Sequence, residues 1–333
     1  MPLARRGFLS FSSDRDPADT EFWIRVHRTA MACRFEIILP GDAAGDIGAA
    51  REALDAIDAI EAALSIYRED SQVAALNRLA ADGAVPVSAG ILDLLLRSRD
   101  LHAATSGAFD VTSTPLSRAW GFSRREGRLP APSEIEAALS CVGMDKLALD
   151  EARGTVRFLK AGVELNFNAI GKGYALDSVA SGLRRRGVRN ALLSAGGSSV
   201  LAIGGGRRGF AVDVRSSHLS APLVRLHLRD AALGTSGAGE QFFEADGRRF
   251  GHVLDPRTGW PAGGALSVSV VADDAATADA LATAYFVGGA ELAERHSAER
   301  PRTLALFTPD AAPHALRIFG HHDGVRFEKE AEA

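Results

Sequence analysis

The 333-residue chain is 46% hydrophobic, enough apolar material for one large domain or two moderate ones. Its formal charge of −4 argues against a general nucleic-acid binder, and no run of about 18 apolar residues offers a membrane span. Two cysteines, Cys33 and Cys141, are too few for a disulfide framework and fit no metal spacing, which points to a reducing compartment.

The first 21 residues read MPLARRGFLSFSSDRDPADTE. Arg5-Arg6 ahead of Phe8-Leu9 has the outline of a twin-arginine export signal, but the following stretch is polar and charged where an apolar run is needed. Residues 1–21 are therefore expected to be a flexible leader, and the chain cytoplasmic. Residues 22–39 alternate partially and read as extended structure ending at Pro40. Over 46–66, Leu54, Ile57, Ile60 and Leu64 fall at helical spacing and predict an amphipathic helix. DSQVAALNRL predicts a short helix capped by Asp70 or Ser71, and a longer one runs on from Ser88. The segment 106–122 is punctuated by Gly, Ser and Pro and fits neither a clean helix nor a clean strand. Ser133 with Glu136 has the capping-box pattern for a helix through Leu139.

Next, TVRFLKAGVELNFN reads as a hairpin about Lys160-Ala161-Gly162, and AIGKGYALDSVASGLRRRG as a helix ended by Gly187. NALLSAGGSSVLAIGGGRRGFAVDV predicts three strands separated by two glycine turns, and LVRLHLRDAALGTSG adds more strand. RTLALFTPD and HALRIFGHHDGVRFE read as closing strands. Without strict strand–helix alternation, these elements predict α+β layers in a single domain over 22–330, built as one body or as two lobes.

Three tempting motifs fail on context. Gly204–Gly209 satisfies G-x-G-x-x-G, yet FAVDV after it is a strand, so no helix N-terminus awaits a pyrophosphate and a hairpin turn is expected. Gly171-Lys172-Gly173 lacks the earlier glycine and the following hydroxyl residue of a P-loop, although Lys172 at a helix start can still contact phosphate. His321-His322-Asp323 runs into Asp323-Gly324, which reads as a hairpin turn.

The most informative stretch is His252–Gly289. A helix is predicted to begin near Ala275, capped by Asp273 or Asp274 and stopped by Gly288-Gly289. Within it Asp279 and Thr283 stand four residues apart on one face. Two readings fit: oxygen ligands for a hard cation, or an Asp favouring the helix dipole and a Thr bonding back to its own helix. In HVLDPRTGWP, the turn itself needs only Asp255, Pro256 and Gly259. His252 and Arg257 are surplus to it and are candidates to face an anionic ligand, against the simpler reading of a solvated loop. Taken together, these features suggest a metal-assisted site for a phosphate-containing ligand.

Several segments, in order, resemble the FAD:protein FMN transferase (ApbE-like) family. They are Met31 in TAMACRFEI, Tyr67 with DSQVAALN, SGAFDVTSTPLSRAWGF, NAIGKGYALD, SAGG, GTSG, GHVLDPRTGWP and ADALATAYFVGG, covering about residues 28–290. The resemblance implies an α+β fold of mixed sheets with packed helices, with FAD in a cleft and Mg²⁺ at its pyrophosphate. It implies metal ligands at Asp279, Thr283 and the Ala169 carbonyl. Implied FAD contacts are Met31, Tyr67, Ala108, Phe109, Asp110, Asn166 and Lys172, with His252 and the DPRTG turn lining the same site. The implied reaction is attack by a Thr or Ser hydroxyl of an acceptor flavoprotein on the FMN-side phosphorus of FAD, releasing AMP. His252 and Asp110 are candidates by residue type to take the hydroxyl proton. Hydrolysis of FAD to FMN and AMP, and FAD binding without catalysis, are the alternatives.

The chain departs from the family pattern in four places. Met31-Ala32-Cys33 stands for the usual Met-Gly-Thr, Asn166 for a frequent Asp, Asn168 for Gly or Ser, and Ser198 for an Asp after SAGG. An exported, lipid-anchored leader of the kind common in the family is not expected from residues 1–21. Strand alternation places Asn166 and Asn168 opposite Phe167, so Asn166 is expected to contact flavin rather than metal.

Overall fold

A computed structural model describes residues 8–12, 16–216, 221–238 and 241–328. Its centre is an eight-stranded antiparallel sheet. The strand order is Arg317–His321, Thr303–Pro309, Ala265–Ala272, Ala232–Gly237, Ser199–Ile203, Ala191–Ala195, Cys33–Pro40 and Trp23–Ala30. Strand alternation sends Phe35, Ile37, Leu193, Leu201 and Ile203 to one face, and Ile38, Leu192, Val200 and Ala202 to the other.

Among the described residues the α-helices are, in chain order, α1 (Ile47–Leu64), α2 (Gln72–Leu79), α3 (Ala89–Ala104), α4 (Thr114–Ala119), α5 (Pro132–Leu139), α6 (Gly171–Arg185) and α7 (Ala275–Glu299), and α1, α6 and α7 cover the first face. Ala50, Leu54 and Ile57 of α1 and Leu176, Val179 and Leu183 of α6 pack directly on the sheet. The second face is covered by a smaller antiparallel sheet of Leu9–Phe11, Phe210–Val214, Val224–Leu228 and Val325–Phe327. A sheet buried on both faces explains why its strands read as apolar runs rather than clean alternation.

Beyond α7, α2 and α3 pack with a three-stranded sheet of Val85–Pro86, Thr155–Phe158 and Leu147–Asp150. A satellite core around Trp120 gathers Leu116, Phe122, Ile135, Val142, Phe250 and Leu254 beneath the hairpin Phe242–Ala245/Arg248–Gly251. No helix among the described residues is long and apolar enough to cross a membrane.

The helix caps follow local chemistry. Ser71, Ser88 and Asp274 each accept a first-turn amide, at 2.9, 3.4 and 2.8 Å, in α2, α3 and α7. For α5 the cap differs from the expected Ser133–Glu136 pair: the helix starts after Ala131, and Glu134 reaches back to the Ala131 amide at 2.8 Å. Gly289 does not stop α7 but kinks it with φ 74°, and helix continues to Glu299.

Several strand pairings differ from expectation because pairing is decided at long range. Thr155–Phe158 pairs with Leu147–Asp150 and Val85–Pro86, so there is no hairpin about Lys160-Ala161-Gly162. The following segment is claimed elsewhere: the Asn77 side chain bonds both backbone groups of Leu165, at 2.7 and 3.0 Å, and the Asn166 amide donates to the Val111 carbonyl at 2.8 Å. The Gly204–Gly209 run is not a hairpin either; it carries the chain from the large sheet to the small one. Asp323-Gly324 makes a similar crossing, steadied by the buried His322, whose Nδ1 accepts the Gly324 amide at 3.0 Å. In the stretch expected to be a leader, Leu9–Phe11 forms a strand against Phe210–Val214 and Leu9 is buried.

Residues 22–40 form a hairpin in which Ala30 faces Cys33. The turn is therefore Met31-Ala32, with φ of 49° and 56°, a left-handed pair that favours Asn-Gly. An L-residue there is strained by contact between Cβ and its own backbone. Ala32 is exposed and has no packing to lose. Ala32→Gly should therefore raise the unfolding free energy by about 0.5–1 kcal/mol, read from the denaturant midpoint. A lower midpoint would show that the turn carries no such strain.

Candidate functional site

The amino ends of α6 and α7 meet against the two central strands of the large sheet, Ala232–Gly237 and Ser199–Ile203. A Cβ on Gly173 would lie 2.1 Å from the Ala275 carbonyl, so only glycine permits this approach. Each end receives a carboxylate from the other helix. Asp177 accepts the Ala275 and Ala276 amides at 2.8 and 3.0 Å, and Asp279 accepts the Gly173 amide at 2.8 Å. The other oxygen of Asp279 accepts the Ser199 hydroxyl at 2.7 Å, and Gly234 makes room for the Asp279 backbone.

Asp279 is only 7% exposed. Burial pushes its pKa up to about 6, opposed by the Lys172 charge, the Ser199 hydroxyl and the Gly173 amide. Burial, then the neighbouring Asp274, push Asp177 up to about 7 against the two α7 amides and Arg97.

One turn beyond Asp279, the Thr283 hydroxyl shares a 2.9 Å hydrogen bond with Ser236. On the α6 side, the Tyr174 amide bonds the Ile170 carbonyl at 3.0 Å, but the Gly173 amide is taken by Asp279. Among the described residues, no backbone amide bonds the Ala169 carbonyl. A carboxylate, a hydroxyl and this carbonyl make an all-oxygen donor set, which fits a hard cation. No group of three or more His, Cys, Asp or Glu that would suit a metal occurs among the described residues. A cation here would therefore take one carboxylate and neutral oxygens.

Other expected residues surround this crossing. The Met31 methyl lies against Gly171, and Cys33 against Gly196 beside the Lys172 stem. Burial pushes the Cys33 thiol up. Leu64, also against Gly171, ends the helix that leads into the loop bearing Tyr67, whose side chain is 77% exposed. Asn166 Oδ1 accepts the Asn168 amide at 2.9 Å, closing a local turn, while Phe167 between them is buried in the core.

The 106–112 loop adjoins through the Asn166–Val111 bond. Ala108 and Phe109 are buried, and the Phe109 ring belongs to the core. Asp110 has 1% of its side chain exposed. Its Oδ1 accepts the Thr112 amide and hydroxyl at 2.7 and 2.5 Å, and its Oδ2 lies 3.1 Å from His102 Nδ1. That hydrogen bond holds the His102 pKa above its usual value. Asp110 thus fixes the loop through its bonds to Thr112 and His102.

The DPRTG turn packs on this loop, with the Arg257 stem over Gly107. The Arg257 guanidinium is held by Asp255 through bonds of 2.9 and 2.8 Å, so its charge is matched within the turn. The His252 amide and Nδ1 both lie on the Gln241 carbonyl, at 3.0 and 3.1 Å. A carbonyl only accepts, so Nδ1 carries a proton in this bond, which fixes the orientation of the ring. Gln241 is itself anchored by a 3.1 Å bond to the Phe122 carbonyl.

Sequence reasoning missed Asp177 and Ser236, which lie in the GKGYALD and GTSG segments, and Ser199, two residues past SAGG; none gives a local sign of facing Asp279 or Thr283. Two surface hollows of about 280 and 250 Å³ lie outside the group, one beside Arg97 and Thr277 and one beside Arg118, Arg124 and Arg128.

The raised pKa of Asp279 makes a stability prediction. Its contribution to the cation-free fold is present below the unfolded carboxylate pKa of 3.8 and is lost as pH rises through about 6. Asn at 279 keeps the Gly173 bond through its carbonyl and can donate to Ser199. Asp279→Asn should therefore stabilise the cation-free protein by about 1–3 kcal/mol at pH 8, shrinking toward zero near pH 4. Thermal melts across that range test this; a pH-independent difference would contradict the burial argument.

Residues 24–307 match the model of the ApbE family. The FAD:protein FMN transferase of Treponema pallidum is 33% identical over 293 residues, covering 83% of this chain and 81% of that one. The Salmonella typhimurium protein of that name is 30% identical over 261 residues, covering 75% and 73%. Among solved structures, the ApbE protein of Thermotoga maritima superposes with a TM-score of 0.81 at 28% identity, over 90% of this chain and 97% of its own. The apo flavinyl transferase ApbE of Pseudomonas stutzeri does so at 0.75 and 28%, over 89% and 94%. With the family match running through nearly all its sheets and both helices of the crossing, the chain belongs to the ApbE family.

Proposed function

We propose that this chain is a Mg²⁺-dependent FAD:protein FMN transferase, which joins FMN from FAD to a Thr or Ser of an acceptor flavoprotein and releases AMP. The observation that carries the reading is the buried Asp279 at the meeting of two helix N-termini, with Lys172 beside it. Two such ends and a lysine suit a pyrophosphate, and its relatives of known name act on FAD. Asp279, Thr283 and the Ala169 carbonyl would hold Mg²⁺, which when bound offsets pyrophosphate charge and the charge growing on the leaving phosphate.

Lys172 adds a fixed positive charge on the α6 side. Tyr67, exposed beside the crossing, offers a ring for the flavin or adenine to stack on. His252, oriented through Nδ1 by the Gln241 carbonyl, would serve as the base for the acceptor hydroxyl. The hydroxyl oxygen bonds the FMN-side phosphorus, its proton passes to His252, and the bond from that phosphorus to the AMP phosphate breaks. Both cysteines are free thiols, consistent with a cytoplasmic location.

Incubation with FAD, Mg²⁺ and candidate acceptor flavoproteins should produce covalent FMN on the acceptor by mass spectrometry, together with AMP. EDTA should abolish both products and Mg²⁺ restore them; full activity in metal-free buffer would sink the cation assignment. AMP release at an equal rate without acceptor would identify a pyrophosphatase instead, and tight FAD binding with no AMP a non-catalytic binder. His252→Ala should lower transfer by about 10²–10⁴-fold while FAD binding is kept. Asp110→Ala should act mainly on stability, lowering it by about 1–3 kcal/mol through the loss of a buried hydrogen-bond network.

A further inference from the structure

The two helices at the site exchange caps in a symmetric way. Gly173 of α6 gives its amide to Asp279 of α7, and Ala275 of α7 gives its amide to Asp177 of α6. In each helix the carboxylate stands four residues after the donated amide. Asp279 is thus the return half of a clasp whose other half is Asp177.

An ordinary cap would not require this arrangement. Asp274 already caps α7 from within, accepting the Thr277 amide at 2.8 Å, and the Ala278 amide bonds the Asp274 carbonyl at 3.1 Å. Asp177 takes the two remaining amides, those of Ala275 and Ala276, and joins them to another helix. Arg97 of α3 steadies the junction, 3.1 Å from Asp274 and 3.5 Å from Asp177.

We propose that Asp177 is a positioning residue for Asp279. By fixing the first turn of α7 against α6, it sets the height and rotation at which the Asp279 carboxylate meets Gly173 and the cation. The inference rests on the reading of Asp279 as a Mg²⁺ ligand, and its consequence is that Asp177 tunes cation affinity without touching the cation.

The test compares Asp177→Asn with Asp274→Ala, which removes the α7 cap and its pair with Arg97 but leaves both amide bonds to Asp177 in place. Asp177→Asn should raise the Mg²⁺ concentration for half-maximal FAD turnover by about tenfold, with the KM for FAD at saturating Mg²⁺ unchanged. The Gly173 amide should lose protection from hydrogen exchange while Tyr174, bonded within α6, keeps its own. Asp274→Ala should lower the melting temperature and leave the Mg²⁺ dependence in place. An unchanged Mg²⁺ dependence and unchanged Gly173 exchange in Asp177→Asn would overturn the proposal. If that variant does not fold, exchange in the natural protein decides: added Mg²⁺ should protect Gly173, Ala275 and Ala276 together, and protection of Gly173 alone would overturn it. A Mg²⁺ requirement surviving in Asp279→Ala would instead remove the ligand reading, leaving the exchange of Gly173 to decide whether Asp177 holds Asp279.

Discussion

The amino ends of α6 and α7 come so close that no side chain fits between Gly173 and the Ala275 carbonyl, and the site depends on that approach. Helix N-termini carry partial positive charge, so two of them side by side repel unless anions lie between. Asp177, Asp274 and Asp279 are those anions, and each accepts hydrogen bonds from first-turn amides that no helical carbonyl can satisfy. Carboxylates at such a junction hold the two helices together at their amino ends.

The charges around the crossing divide into matched and unmatched ones. Arg257 is closed by Asp255 two residues away, and Asp110 by Thr112 and His102. These groups brace the loops that surround the site. Asp279 differs: it is buried beside one lysine, with its pKa pushed up to about 6. A carboxylate held that way weakens the empty fold and favours a bound cation, because the environment that penalises its charge is relieved by an opposite one. The Met31-Ala32 turn adds strain nearby, since its left-handed backbone places the Met31 methyl against Gly171 at the start of α6.

The layered architecture explains why this junction is rigid. The large sheet is covered by α1 and α6 on one face and by the small sheet on the other. Ser199 and Ser236, which meet Asp279 and Thr283, project from its strands. Asp279 and Thr283 on α7 are thus supported by strand side chains that cannot move without disturbing a core packed on both sides.

Most helices and several of their starts were legible in the sequence because they rest on neighbours within a turn; α4 and the cap of α5 were not. Leu54, Ile57 and Leu64 mark the buried side of α1, and Ser71, Ser88 and Asp274 cap the helices after them. The family was legible too, since its short segments recur in order. Strand partners were not: Thr155–Phe158 pairs with Val85–Pro86 rather than with the segment after Gly162, and the Gly204–Gly209 run links two sheets. Nor was it legible which charges remain available, because Asp279 and Gly173 are 106 residues apart in the chain. The sequence by itself determined the local elements and the inventory of oxygens, both of which depend on contacts between near neighbours. Only the tertiary structure decided that Asp177 and Asp279 face each other's helices while Arg257 and Asp110 are closed off, because pairing and burial of charge depend on contacts that the folded chain alone creates.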